Sequence, residues 1–309
     1  MSNRPELLAH KFHPLGDGGR IRYALFEPEK AHGTVLIAPG RREFIEKKYA
    51  ELGPALLKRN CRLIFFEWRG QGLSDRFLTG KLHQRDHITD FGTHLNDLTS
   101  FYDKVIHPRQ TGPLLVFGHS MGSHLLLRWL VECQIKAAAA IIIAPMLALA
   151  ALPVHAAARA MSWTAVHLGH NTDYAPGQHD YNDRDRAFDK NPLSHDLERY
   201  TIIEKYFDAH PEMTVGGVTW GWLDAALKSM NRTYQRHYFE RLTLPILALT
   251  GSGDHVTPPT ELDRYLRRLP NAHNFIIPGA RHDLMNEADI YQIEAWKHID
   301  RFLDKVMNA

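Results

Sequence analysis

Hydrophobic positions change their period several times along this chain. A turn signal at Asp17-Gly18-Gly19 precedes residues 20–26, which alternate polar with apolar, and this pattern predicts an antiparallel hairpin near the start. After Pro28 the alternation gives way to short continuous apolar runs at residues 34–38, 62–66, 113–117, 140–143, 245–250 and 275–277. Runs of that length without a polar face suit strands buried on both sides. Between them apolar residues return at helical spacing: residues 49–59, a longer amphipathic stretch at 88–105, and Leu125, Leu126, Trp129 and Leu130. Buried strands alternating with helices predict an α/β protein, a mostly parallel central sheet flanked by helices.

The rhythm breaks after Ala144. Residues 146–241 hold helical stretches at 154–168 and 197–209, punctuated by Pro, Gly and Asn, with no strand pattern until residue 245. A helical insertion between two strands of one sheet explains this. The expected division is a core in two parts, 1–145 and 242–309, with 146–241 as a helical cap above the carboxyl ends of the strands. Residues 137–158 carry no Asp, Glu, Lys or Arg and are long enough to span a bilayer. Pro145 and Pro153 interrupt them, so they read as a core strand followed by a separate apolar helix.

Chemistry concentrates where three strands end. The run 113–117 empties into Gly118-His119-Ser120-Met121-Gly122 and a helix follows at once, which is the setting of a nucleophile elbow with Ser120 exposed at its tip. A serine hydroxyl needs a base to take its proton and an acid to orient that base. Strand 245–250 empties into Gly251-Ser252-Gly253-Asp254-His255, and strand 275–277 into Pro278-Gly279-Ala280-Arg281-His282. Chain order and strand-end placement favour Asp254 as acid and His282 as base over their neighbours His255 and Asp283. The alternative for Asp254 is to cap the helix that begins near Pro258, and any one of twenty histidines has a packing role as its alternative. An oxyanion formed at Ser120 needs two donors: the backbone N–H of Met121 and, from the loop after strand 34–38, that of Arg41.

Composition narrows the class without defining it. With 44% hydrophobic and 23% charged residues and a net charge of +2, no general attraction to nucleic acid is expected. Cys61 and Cys133 stand in apolar runs and read as free thiols, residues 1–13 contain no apolar leader, and a cytoplasmic location follows. No histidine pair has zinc-ligand spacing, and Gly70-Gln71-Gly72 lacks the third glycine of a dinucleotide loop, so neither a metal nor another cofactor is expected. Arg41-Arg42 and Lys47-Lys48 form a basic run beside the site. It is either a solvated face interleaved with Glu43 and Glu46 or an attractor for an anionic headgroup, a role open also to Arg184, Arg186 and Arg199. Val154, Ala158, Met161, Ala165 and Leu168 approximate one apolar helix face, and Trp163, Trp220 and Trp222 add bulk to the cap. They suit cap core, and Trp220 and Trp222 are candidates to line an acyl channel.

Taken together, Pro39-Gly40-Arg41-Arg42-Glu43, Tyr49-Ala50-Glu51-Leu52, Trp68-Arg69-Gly70-Gln71-Gly72-Leu73-Ser74, the elbow, Asp254 and His282 resemble an α/β-hydrolase. The branch is the one that includes bacterial lysophospholipases and monoacylglycerol lipases. Asn191-Pro192-Leu193-Ser194-His195 and Val215-Gly216-Gly217-Val218-Thr219-Trp220 resemble its lysophospholipase side. Two positions depart from the branch: Pro39-Gly40 stands where many relatives have His-Gly, and Glu67 where they often have aspartate. The resemblance implies a serine esterase acting on single-chain lipid esters, lysophospholipids or monoacylglycerols, with an apolar cap in transient contact with a membrane surface. A short-chain carboxylesterase, an amide or peptide hydrolase and a noncatalytic binding module of the same shape remain the alternatives.

Overall fold

The computed structural model describes residues 6–149 and 155–307. Its eight strands lie in one sheet of order β1-β2-β4-β3-β5-β6-β7-β8. They are β1 (Lys11–Pro14), β2 (Arg20–Phe26), β3 (Gly33–Ala38), β4 (Cys61–Phe66), β5 (Leu114–His119), β6 (Ala139–Ile143), β7 (Ile246–Gly251) and β8 (Ala272–Ile277). The first two form the antiparallel hairpin, β2 runs antiparallel to β4, and every later pairing is parallel.

Side-chain alternation splits the core in two. Leu36, Val116, Ile142 and Ala248 face one layer, and Ile37, Phe117, Ile141 and Leu249 the other. Helices α2 (Gly92–Phe101) and α3 (Met121–Glu132) cover the first layer through Leu95, Leu98, Leu125 and Trp129. Helix α1 (Ile45–Leu57) covers the second through Leu52 and Leu56, and α8 (Asp289–Met307) through Ile299 and Leu303. Burial on both faces is what the continuous apolar runs encode, since a one-residue slip along β5 would still bury an apolar side chain.

Helix boundaries differ from the sequence pattern for local reasons. Helix α1 starts at Ile45, because Lys47 and Lys48 are buried and belong to it. The stretch 88–105 is not one helix: Asp90 accepts the Gly92 N–H at 2.7 Å and fixes the start of α2 there, while the last turns continue as a π turn and a 3-10 turn. Ile88 and Phe91, buried before that start, supplied the misleading period.

Between β6 and β7 come α4 (His155–His167), α5 (Leu197–Ala209) and α6 (Trp220–Thr233), with two isolated bridges, Asp86 to Val218 and Tyr174 to Thr219. Val154 and Pro153 lie outside the described residues, and so does the side chain of Arg184. Helix α6 went unread in the sequence although Thr219 caps it, accepting the Trp222 N–H at 3.1 Å. The apolar face read along α4 is not core: Met161, Trp163 and Leu168 are exposed, and Ser162 is the buried residue of that helix, 3.4 Å from Asp224. Among the described residues no helix is long and apolar enough to cross a membrane, and both cysteines are free thiols.

Candidate active site

Ser120 stands between β5 and α3 with φ 49° and ψ −117°, a left-handed conformation that a non-glycine residue rarely adopts. Its surroundings hold it there. Its N–H donates to Ile143 O at 2.9 Å, and its carbonyl accepts from His124 and Met146 at 3.1 Å. A Cβ on Gly122 would lie 2.3 Å from the Ala38 carbonyl oxygen, and one on Gly118 would lie 2.7 Å from Ser123 Cα, so both flanking positions require glycine. The parallel sheet brings the ends of β5, β7 and β8 to the same edge.

At that edge Ser120 Oγ is 3.0 Å from His282 Nε2, and His282 Nδ1 is 2.8 Å from Asp254 Oδ2. All three residues are buried or nearly so. Asp254 also accepts from Val256 N–H at 2.7 Å, Thr257 N–H at 2.9 Å and Thr257 Oγ1 at 2.7 Å. Burial pushes its carboxyl pKa up, but the bond and charge of His282 together with the Thr257 bonds outweigh burial and hold it below the usual value. The alternative partners lie elsewhere: His255 is exposed, and Asp283 is buried against Lys47, 2.6 Å from its Nζ. Helix α7 (Pro259–Leu266) is capped at Pro258, so Asp254 organises the loop before it.

Opposite Ser120, the loop after β3 turns back through Arg42, whose φ is 63°. The Arg42 N–H donates to Gln71 Oε1 at 2.7 Å, Trp68 Nε1 donates to Pro39 O at 2.8 Å, and Gly40 N–H to Glu43 Oε2 at 2.5 Å. Arg41 extends its guanidinium away, to Asp86 at 2.9 Å and Gly216 O at 2.8 Å. The backbone N–H groups of Arg41 and Met121 meet no acceptor among the described residues, and both residues line the cavity at Ser120. Glu67 performs the structural role expected of the departing position: it accepts from Arg22 at 2.8 Å and Leu73 N–H at 2.7 Å, and it packs where a Cβ on Gly72 would clash.

Beneath the elbow lies a charge cluster that corrects the reading of the basic run. Lys47 and Lys48 are neither solvated nor open to a ligand. Lys47 Nζ lies 2.7 Å from Glu43, 2.5 Å from Glu51 and 2.6 Å from Asp283, and Lys48 Nζ 2.7 Å from both Glu43 and Glu51. Glu43 also lies 3.1 Å from His119 Nδ1, and His119 Nε2 3.2 Å from the His282 carbonyl oxygen. Burial opposes charge throughout, yet the interaction with His119 and the ammonium groups of Lys47 and Lys48 hold Glu43 well below its usual range. The surrounding carboxylates, Asp283 first, likewise hold Lys47 well above its own. Glu43, His119 and Asp283 have metal-ligand spacing, but the two ammonium groups already occupy the carboxylates. The cluster ties three loops, those of Gly40, His119 and His282, to α1. Glu43, Gln71 and Asp86 are the supporting residues that sequence reasoning missed; Glu43 and Gln71 lay inside motifs already noted, and Asp86 lay in none.

A cavity of about 570 Å³ opens over Ser120. Part of its lining is apolar, including Met121, Met146, Leu193, Phe207, Val218 and Trp222; part is polar, with Arg42, Tyr181, Asp185, Lys190 and Glu204, and Tyr181 packs against Phe207 at 5.3 Å between ring centroids. Trp220 does not line it: its N–H donates to Asp173 O at 2.9 Å, and helical rotation sends its ring away from Trp222. Asn191 to His195 join this segment to the His282 loop, with Ser194 Oγ donating to Asn286 O at 2.7 Å and Asp283 N–H to Leu193 O at 2.9 Å. Arg186 and Arg199 are engaged by Asp208 at 2.7 Å and Asp289 at 2.5 Å.

Sheet order, flanking helices and the strand-to-helix turn at Ser120 define an α/β-hydrolase. The chain belongs to the family described as serine aminopeptidase, S33, whose model matches residues 29–289. It is 25% identical over 306 residues to lysophospholipase L2 of Escherichia coli K12, covering 92% of this chain and 84% of that one. It is 22% identical over 281 residues to a probable lysophospholipase L2 of Haemophilus influenzae, covering 91% and 87%. A monoglyceride lipase of Saccharomyces cerevisiae shares the fold with a TM-score of 0.72 at 16% identity over 99% of this chain and 96% of that one. So does a carboxyl esterase of Bacillus coagulans, at 0.76 and 16% over 97% and 98%. The chain is thus an ester hydrolase of the α/β-hydrolase family.

Proposed function

We propose that this protein is a serine hydrolase that cleaves single-chain lipid esters, lysophospholipids before monoacylglycerols, through an acyl-enzyme. The observation that carries the chemistry is the continuous hydrogen-bond chain Ser120–His282–Asp254, at 3.0 and 2.8 Å, at the floor of a part-apolar cavity. His282 Nε2 takes the Ser120 proton as Oγ attacks the ester carbonyl, and the N–H groups of Arg41 and Met121 receive the oxyanion. The tetrahedral centre collapses, the ester C–O bond breaks, and His282 returns the proton to the leaving alcohol. Water, deprotonated by the same imidazole, then releases the fatty acid and Ser120. Asp254, ionised, keeps Nδ1 protonated and the ring in place.

The lipid preference has two supports, the names of the relatives and the apolar part of the cavity lining. Residues 146–241 act as the cap, and the exposed Met161, Trp163 and Leu168 are its contact with a membrane or micelle surface. The test is fatty-acid release from a panel of lysophospholipids, monoacylglycerols, short nitrophenyl esters and an aminoacyl nitroanilide, with Ser120→Ala alongside. Release from lysophospholipids that falls by about six orders of magnitude in the variant is expected. Near-normal turnover by Ser120→Ala would sink the mechanism, and Ser120-dependent release from short esters or the anilide alone would sink the substrate.

A further inference from the structure

The cavity lining contains charge that the ester chemistry does not use. Lys190 lines it, is exposed, and has no hydrogen bond or ion pair among the described residues. Arg42 lines it too. Its guanidinium rests 4.9 Å from the Tyr181 ring centroid, and its nearest carboxylate, Asp185, stands at 3.9 Å, beyond hydrogen-bond reach. The other lining cations are spent: Lys47 on three carboxylates, Arg41 on Asp86 and Gly216 O. Of the lining anions, Glu204 is held by Tyr181 and by Arg186 at 3.3 Å, and Asp185 accepts the Asn182 N–H at 2.9 Å. The cavity lining therefore holds one unpaired ammonium and one loosely paired guanidinium together with apolar side chains.

Resting on the lipid-ester reading above, we infer that Lys190 and Arg42 form a phosphodiester subsite that receives the headgroup of a lysophospholipid while the acyl chain lies against the apolar part of the lining. A phosphodiester carries one negative charge and several acceptor oxygens, which suits a fork of guanidinium donors and a mobile ammonium. A monoacylglycerol offers these groups no charge. The subsite is thus the element that separates the two substrate classes. Its cations come from two segments of the chain, Lys190 from residues 146–241 and Arg42 from the loop after β3, so the headgroup also ties the one to the other.

The experiment compares wild type, Lys190→Glu and Arg42→Gln on lysophosphatidylethanolamine and a monoacylglycerol of the same chain. A second readout is inhibition of short nitrophenyl ester hydrolysis by glycerophosphoethanolamine, with glycerol as control. Loss of a charge-assisted hydrogen bond lowers the ratio of kcat/KM, lysophospholipid over monoacylglycerol, by about 10-fold or more in Lys190→Glu. It weakens glycerophosphoethanolamine inhibition in parallel, and added salt erodes the wild-type ratio. A ratio and an inhibition constant both within about twofold of wild type overturn the subsite. Should wild type hydrolyse no lysophospholipid while Lys190→Glu still loses the inhibition, the subsite stands and the substrate reading falls.

Discussion

Lys47→Met removes one ammonium from beneath the elbow and little volume. It leaves Glu43, Glu51 and Asp283 with Lys48 as their remaining lysine, 2.7 Å from the first two and 3.8 Å from the third. Breaking a buried ion pair by deleting one partner costs about 3–5 kcal/mol, because the orphaned charge stays desolvated. For 309 residues at about 2.1 cal/mol/K each, the unfolding entropy is about 0.65 kcal/mol/K, so the melting temperature should drop by about 5–8 °C. The pH dependence has a definite sign. Lys47 is raised above its ordinary 10.5, so its contribution is full below that value and fades only as pH rises through the higher folded one. Glu43 and Asp283 are lowered from 4.5 and 3.8, so theirs is present above those values and fades as pH falls through the lower folded ones. Glu51 is raised from 4.5 by burial, so its contribution is gained as pH falls through its folded value, while those of Lys47, Glu43 and Asp283 stay constant from pH 5 to 8. In the variant the unpaired carboxylates take up protons more readily in the folded state, so the deficit should shrink on acidification. Melting followed by circular dichroism at pH 8 and pH 5 measures both effects. A deficit under about 1 °C at pH 8, or one that grows toward pH 5, would refute the reasoning.

Other expectations follow from single contacts. Gly122→Ala puts a methyl 2.3 Å from the Ala38 carbonyl oxygen and must push α3 off β3; esterase activity and melting temperature should fall together, and retention of both would contradict the described packing. Trp222→Ala, in the cavity wall, should cost about 3–5 kcal/mol and raise the long-to-short acyl preference, whereas Trp220→Ala should leave that preference alone; equal shifts in both would put the acyl path elsewhere. Acid should destabilise through His94 and His124, whose pKa values burial, and then nearby arginines, lower to about 3. Being lowered, they contribute stability above about 6.5 that is lost as pH falls, about 2 kcal/mol each by pH 5. Asp97, raised to about 6 chiefly by burial, works in the opposite direction by about 1 kcal/mol. A urea midpoint no lower at pH 5 than at pH 7.5 would falsify the assignment.

How much of this was legible in the chain depends on whether the signal was local. Continuous apolar runs locate the strands from β3 to β7 within a few residues, because burial on both faces leaves little room for polar side chains, whereas the edge strand β8 begins three residues before its apolar run and exposes Phe275 and Ile276. Glycines on both sides of Ser120 mark the strand-to-helix turn, because a Cβ at either place would meet backbone. The order Ser120, Asp254, His282 was readable because parallel strands must all end at one edge. The sequence also predisposes the loop after β3 to a tight turn, though Arg42 at φ 63° carries no glycine to announce it.

Only the tertiary structure decides what charges do. Arg41-Arg42 and Lys47-Lys48, interleaved with Glu43 and Glu46, read as a solvated face or as an attractor for an anionic headgroup. Lys47 and Lys48 are instead buried, because Asp283, 236 positions away from Lys47, completes their neutralisation. Trp220 and Trp222 look equivalent in sequence, yet helical rotation sends one ring to the cavity and the other away from it. Met161, Trp163 and Leu168 follow a core-like pattern and face outward, since hydrophobic spacing reports a face and not what covers it. Lys190 was unremarkable in the chain, and its lack of a partner is a property of the assembled cavity. Local sequence thus determines which elements form and where the chain turns, through burial and backbone sterics over a few residues. Long-range packing determines which charges are spent and which remain free to bind.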